Sequence, residues 1–127
     1  MKWGLICNSY VKKACTTAND VYEFLKSEND VFVEKKYADK LNIKGYSLDE
    51  INEKADIVVT VGGDGTILRA LEKIEKPIFS INSGGMGFLT EVESKYAKDG
   101  LQQVINGDYN IEERAKLKAT LDGDRLP

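Results

Sequence analysis

Residues 56–66 read Asp56-Ile57-Val58-Val59-Thr60-Val61-Gly62-Gly63-Asp64-Gly65-Thr66. The side chains from Ile57 to Val61 are all β-branched, which restricts χ1 and favours a pleated strand. They do not alternate between apolar and polar, so the strand is predicted to be covered on both faces, as in the centre of a parallel sheet. The glycines then end it, because a backbone without Cβ atoms can turn sharply and approach a ligand closely. Beyond them Ile67, Leu68, Leu71 and Ile74 recur at helical spacing while Glu72, Lys73 and Glu75 point elsewhere, and Pro77 bars further helix. The stretch is therefore read as a strand, a glycine loop and a helix.

The same alternation extends in both directions. Lys2 to Cys7 is an apolar stretch that runs into Asn8-Ser9, the pattern of a buried strand ending in a loop. Ala14, Ala18, Val21 and Leu25 share one helical face, with Asn29 as the expected stop, and Val31 to Lys35 reads as a second strand. Asp39 to Tyr46 shows no clear period. Ser47-Leu48-Asp49-Glu50 has the Ser-x-x-Glu form of a capping box and predicts a short helix to Lys54.

On the other side, Ile78 to Ile81 is the next strand and Asn82 to Gly87 a second glycine cluster. Ser94 can cap a helix that buries Ala97, Leu101, Val104 and Ile105 and ends at Asn106-Gly107. This order predicts an α/β fold over residues 1–108, an open parallel Rossmann-like sheet with flanking helices and right-handed crossovers. Thereafter Ala115, Leu117, Ala119 and Leu121 alternate with Lys116, Lys118 and Thr120, as in a half-exposed antiparallel strand, and Asp122-Gly123 is a hairpin-turn signal. Residues 109–127 are read as the first strand of a truncated β-rich C-terminal domain.

Composition narrows the partners. The chain has 127 residues, 42% of them hydrophobic, enough for one core, and a net charge of −3 without long runs of one sign. A nucleic-acid surface is not expected. Apolar runs stay far below the roughly 18 residues of a membrane span, and the N-terminus lacks a signal-peptide pattern, so a cytoplasmic location is expected. Histidine is absent and Cys7 and Cys15 are the only cysteines, so any metal must be held by oxygens. Both cysteines read as small apolar residues.

Ligands of open α/β sheets sit beyond the carboxyl ends of the strands, and both glycine clusters fall at such ends. A helix starting near Gly65 offers unpaired amides and a positive dipole end to phosphate. Asp64 would repel that phosphate unless it holds Mg²⁺, accepts a proton or binds a hydroxyl; alternatively it only caps the helix. The first three roles fit phosphoryl transfer to a hydroxyl. No Gly-x-x-x-x-Gly-Lys-Ser/Thr is present, and neither Gly63-Asp64-Gly65 nor Gly85-Met86-Gly87 continues to a glycine at dinucleotide-fingerprint spacing.

Gly62-Gly63-Asp64-Gly65-Thr66 resembles the GGDGT motif shared by NAD kinases, diacylglycerol kinases and sphingosine kinases, with a related form in 6-phosphofructokinases. Asn82-Ser83-Gly84-Gly85-Met86-Gly87-Phe88-Leu89-Thr90 is similar to the Asn-x-Gly-x-x-Gly-Phe-Leu stretch of NAD kinases, where lipid kinases carry a Pro-x-Gly-Thr-x-Asn-Asp type of sequence. The likeness covers most of residues 56–121, and the first 50 residues match only in pattern.

The resemblance implies phosphoryl transfer from ATP, or polyphosphate, to the adenosine ribose 2′-hydroxyl of NAD, giving NADP. Asp64 would accept the proton. Gly62, Gly63, Gly65 and Thr66 would form the nucleotide loop, Arg69 would bind nucleotide, Asn82 would position ligand through its amide, and Phe88 would lie against adenine. Mg²⁺ or another divalent cation would ride on the phosphoryl donor rather than on protein side chains. The family's Asn-Glu motif belongs to a C-terminal β domain missing from this chain, so the isolated chain is expected to be inactive, and the full-length enzyme to be a homo-oligomer. A lipid kinase sharing the first motif, or a nucleotide-binding module inactive on its own, are the alternatives.

Overall fold

A computed structural model of the chain describes residues 1–83 and 92–107. The expected strand at 115–121, the expected β domain and residues 84–87 of the second glycine cluster lie outside the described residues. The elements in chain order are β1 (Lys2–Cys7), α1 (Lys12–Lys26), β2 (Asp30–Val33), α2 (Lys35–Leu41), α3 (Leu48–Lys54) and β3 (Ile57–Gly62). They continue with α4 (Asp64–Leu71), β4 (Ile78–Asn82), β5 (Val92–Glu93), a 3₁₀ turn (Ser94–Tyr96) and α5 (Ala97–Ile105). The strands form one sheet in the order β2-β1-β3-β4-β5, and every pairing is parallel.

Side chains of a strand alternate between faces, and here the alternation feeds two cores. Trp3, Leu5, Cys7, Ile57, Val59, Val61, Phe79 and Ile81 pack with α1, Tyr37 and Ala38 of α2, and Leu101 and Val104 of α5. Ile6, Val58 and Ile78 face the other way, against Ile51 of α3 and Ile67 and Ala70 of α4. β3 is buried along its whole length, which is why its sequence shows no alternation. On the second face Thr60 Oγ1 donates to Ser80 Oγ at 3.0 Å, so the buried hydroxyls satisfy each other. Gly4 lets α3 approach: a Cβ there would sit 2.5 Å from Ile51 Cγ2.

The α1 stripe of Ala14, Ala18, Val21 and Leu25 is buried as its spacing requires. The capping box is present in both directions, with Glu50 N–H donating to Ser47 Oγ at 3.1 Å and Ser47 N–H to Glu50 Oε1 at 2.9 Å. Three expectations are corrected, and one helix is added. The second strand stops at Val33, because Glu34 caps α2. α2 itself had no legible period, since its buried residues, Tyr37 and Ala38, are adjacent and cannot repeat. In α4 the buried residues are Thr66, Ile67 and Ala70, with Ile74 buried in the turn beyond, whereas Leu68 is 55% exposed. Finally, α5 begins at Ala97 with Tyr96 at its cap, and Ser94 opens the preceding 3₁₀ turn. Among the described residues no helix is long and apolar enough to cross a membrane.

Candidate functional site

The strand order places the site. From β1 the chain moves outward to β2 and then crosses back to β3 on the other side of β1. The carboxyl ends of β1 and β3 thus flank the point where the winding reverses, the place where open α/β sheets hold ligands. Asn8 and the β3–α4 loop meet there.

Gly62 and Gly63 make the turn in different ways. Gly62 has φ +155°, and a Cβ on it would lie 2.5 Å from Thr66 Oγ1 and 3.2 Å from Asn8 Cβ. Gly63 caps α4 with extended backbone, and an added Cβ would meet nothing within 4 Å, as at Gly65. Gly63 and Gly65 therefore present bare backbone to open space. The Gly63 carbonyl accepts from Thr66 N at 3.1 Å and from Ile67 N at 3.4 Å, which starts the helix. Asp64 occupies the first helical position, one residue past the cap, in the turn where the helix dipole favours negative charge. Register pairs Gly62 with Asn82 across β3 and β4, and Ser83 N donates to the Gly62 carbonyl at 3.2 Å.

The β1 loop forms the opposite wall. Asn8 N donates to the Val61 carbonyl at 3.0 Å, and Asn8 Oδ1 accepts from Tyr10 N at 3.1 Å. The side chain closes a turn at Tyr10, and the Asn8 carbonyl accepts from Val11 N at 3.2 Å. A cleft of about 230 Å³ runs between the walls, lined by Cys7 to Tyr10, by Gly63, Gly65 and Thr66, and by Lys36 and Arg69. Lys40 Nζ donates to the Ser9 carbonyl behind it.

Arg69 is more than a solvated helix charge. Its two terminal nitrogens form a bidentate pair with the Glu34 carboxylate, Nη2 to Oε1 at 2.9 Å, joining α4 to the β2–α2 corner. The Glu34 hydrogen bond, opposed by desolvation, holds the guanidinium pKa above its ordinary value. Five donors on a guanidinium exceed what one carboxylate takes, and Arg69 remains on the cleft wall. Burial, then the neighbouring Cys15, push the Cys7 thiol up to about 12, so it stays protonated at neutral pH. Neither cysteine is in a disulfide.

Of the residues singled out in the sequence, Gly62, Gly63, Asp64, Gly65, Thr66 and Arg69 come together at this end of the sheet, with Asn82 at the end of the adjacent strand. Phe88 lies outside the described residues. Asn8, Ser9, Tyr10, Lys36 and Glu34 were not singled out as site residues; the Asn8-Ser9 strand ending was the one available signal. Among the described residues no group of three or more acidic or cysteine side chains could hold a metal ion.

A parallel sheet wound both ways from β1, with a glycine turn and a helix start at its switch point, defines a doubly wound α/β domain. The chain belongs to the ATP-NAD kinase N-terminal domain family, whose model matches residues 3–109. It is 43% identical over 136 residues to the NAD kinase of Thermococcus kodakarensis, covering 100% of this chain and 48% of that protein. To the NAD kinase of Thermoplasma acidophilum it is 34% identical over 126 residues, 99% of this chain and 46% of that one. The chain thus spans about half the length of the curated relatives it matches. Among solved structures, an NAD kinase from Archaeoglobus fulgidus in complex with ATP aligns with TM-score 0.63 and 28% identity over 84% of this chain and 38% of that one. Yeast NADH kinase complexed with NADH aligns with TM-score 0.74 over 85% of this chain and 38% of the other, and its 20% identity supports the fold alone.

Proposed function

We propose that this chain is the phosphate-binding half of an NAD kinase, which transfers a phosphoryl group from ATP to the adenosine ribose 2′-hydroxyl of NAD and yields NADP. The observation that carries the reading is the juxtaposition at the switch point: bare glycine backbone and a helix start beside Asp64, facing Lys36 and Arg69. Gly63 and Gly65 leave room for phosphate oxygens to reach backbone amides. Lys36 and Arg69 offset phosphate charge. Asp64 then accepts the proton of the attacking hydroxyl, which needs a base within hydrogen-bond reach of the acceptor. Asn82 pairs in register with Gly62, which supports a role for its amide in orienting the ligand, and Phe88 is assigned to adenine.

One carboxylate at a phosphate loop fits a divalent cation that arrives on the donor; Mg²⁺ there would neutralise developing charge on the phosphates. In the same reading residues 109–127 begin a β domain that completes the acceptor site, and the complete enzyme is a cytoplasmic homo-oligomer. Polyphosphate is the alternative donor.

The test is to complete the chain with the C-terminal half of the Thermococcus kodakarensis relative and follow NADP formation. Asp64→Asn is expected to lower the rate by about 10²- to 10⁴-fold, the share of a positioned general base. Near-native turnover by the variant would remove Asp64 from that role, and phosphorylation of diacylglycerol in place of NAD would favour a lipid kinase.

A further inference from the structure

Among the described residues Tyr10 is the most exposed of the large hydrophobic side chains. Its side chain is 83% exposed, on the wall of the cleft, at the end of a turn that Asn8 clamps from both its backbone and its side chain. A large ring left in water forgoes the burial that usually holds an aromatic residue in place, and here the backbone beneath it is tied to Asn8 by two hydrogen bonds. Lys36 Nζ stands 5.9 Å from the ring centroid, at the outer limit of a cation–π contact, so the ring is steadied without being covered. The cleft beside it, at about 230 Å³, is smaller than the roughly 300 Å³ at which pockets begin to enclose a whole small ligand. It has room for phosphates and leaves whatever they are attached to against its exposed lining, to which Tyr10 belongs.

We propose that the Tyr10 ring is a stacking platform for the base of the nucleotide whose phosphates occupy this cleft, with Lys36 bridging ring and phosphates. The inference rests on the phosphate reading of the cleft given above and extends it to the donor's identity. A platform rewards a donor that carries an aromatic base, so this chain should select a nucleoside triphosphate over inorganic polyphosphate. Phe88, assigned to the adenine of the acceptor, serves the other substrate.

Titration calorimetry of the 127-residue chain with magnesium ATP and with magnesium tripolyphosphate separates the two ideas. In the native chain both ligands are expected to bind, ATP more tightly. Tyr10→Ala should weaken ATP about fivefold or more, the lower range of base–aromatic stacking, and leave tripolyphosphate unchanged. Tyr10→Phe should retain ATP binding, and Lys36→Gln should weaken both ligands. Equal losses for ATP and tripolyphosphate in Tyr10→Ala, or no loss for ATP, would overturn the platform while leaving the phosphate cleft standing. Failure of the native chain to bind either ligand would overturn the cleft reading and the platform with it.

Discussion

Gly62 and Gly63 are adjacent, yet they are glycine for different reasons. At Gly62 the backbone has φ +155° and a Cβ would strike Thr66 Oγ1 at 2.5 Å, so the fold needs the glycine. At Gly63 the backbone is extended and the Cβ space is empty, so the fold would accept a side chain there, and only the proposed phosphate would refuse it. Gly62→Ala is therefore expected to destabilise the chain by about 1–3 kcal/mol, the cost of holding a non-glycine residue in such a region. Equilibrium urea unfolding measures this, and a native-like midpoint would contradict the geometry. The motif was legible in the sequence because glycine is a conspicuous residue. Which glycine serves the fold was not, because the deciding atoms, Thr66 Oγ1 and Asn8 Cβ, are supplied by tertiary structure. The same holds for Arg69, whose partner Glu34 lies 35 residues away in sequence.

At the scale of elements, α3 and α2 are both seven residues long and differ in what makes them helical. α3 is held by local chemistry, the reciprocal Ser47 and Glu50 bonds, and local chemistry can be read directly. α2 is held by tertiary contacts. The buried Tyr37 hydroxyl donates to the Cys15 carbonyl at 2.9 Å, and Gly45 passes so close that a Cβ on it would lie 2.5 Å from Lys35 Cα. The Cys15 carbonyl lies 22 residues from Tyr37 and the Gly45 approach leaves no periodic signal, so the Lys36 wall of the cleft stayed hidden with them. Ser47→Ala should cost about 1 kcal/mol at neutral pH, as cap removals do. The Ser47 N–H lowers the Glu50 carboxyl below its ordinary 4.5, so its contribution is present above that value and lost as pH falls through the lower, folded value. Urea midpoints of the native chain and Glu50→Ala should accordingly converge in acid; a gap independent of pH would contradict the charge's role.

For the whole molecule, the alternation of strand and helix predicted a parallel α/β sheet, and the order β2-β1-β3-β4-β5 then brought the β1 loop against the β3 loop. Alternation is written in hydrophobic periods, whereas order depends on which edges pair across the chain, as when Asn8 N reaches the Val61 carbonyl. The Gly62–Thr66 wall was therefore visible in the sequence, while the Asn8–Tyr10 wall emerged only when the sheet was assembled. On the proposed function, the cleft between these walls is a phosphate site built on bare glycine backbone. This is tested most directly by calorimetric titration of magnesium ATP into the native chain and Gly63→Val, with thermal unfolding of both as control. The expected result is saturable binding by the native chain, none by the variant, and melting temperatures that agree; equal affinity in the two would mean that this loop does not approach phosphate.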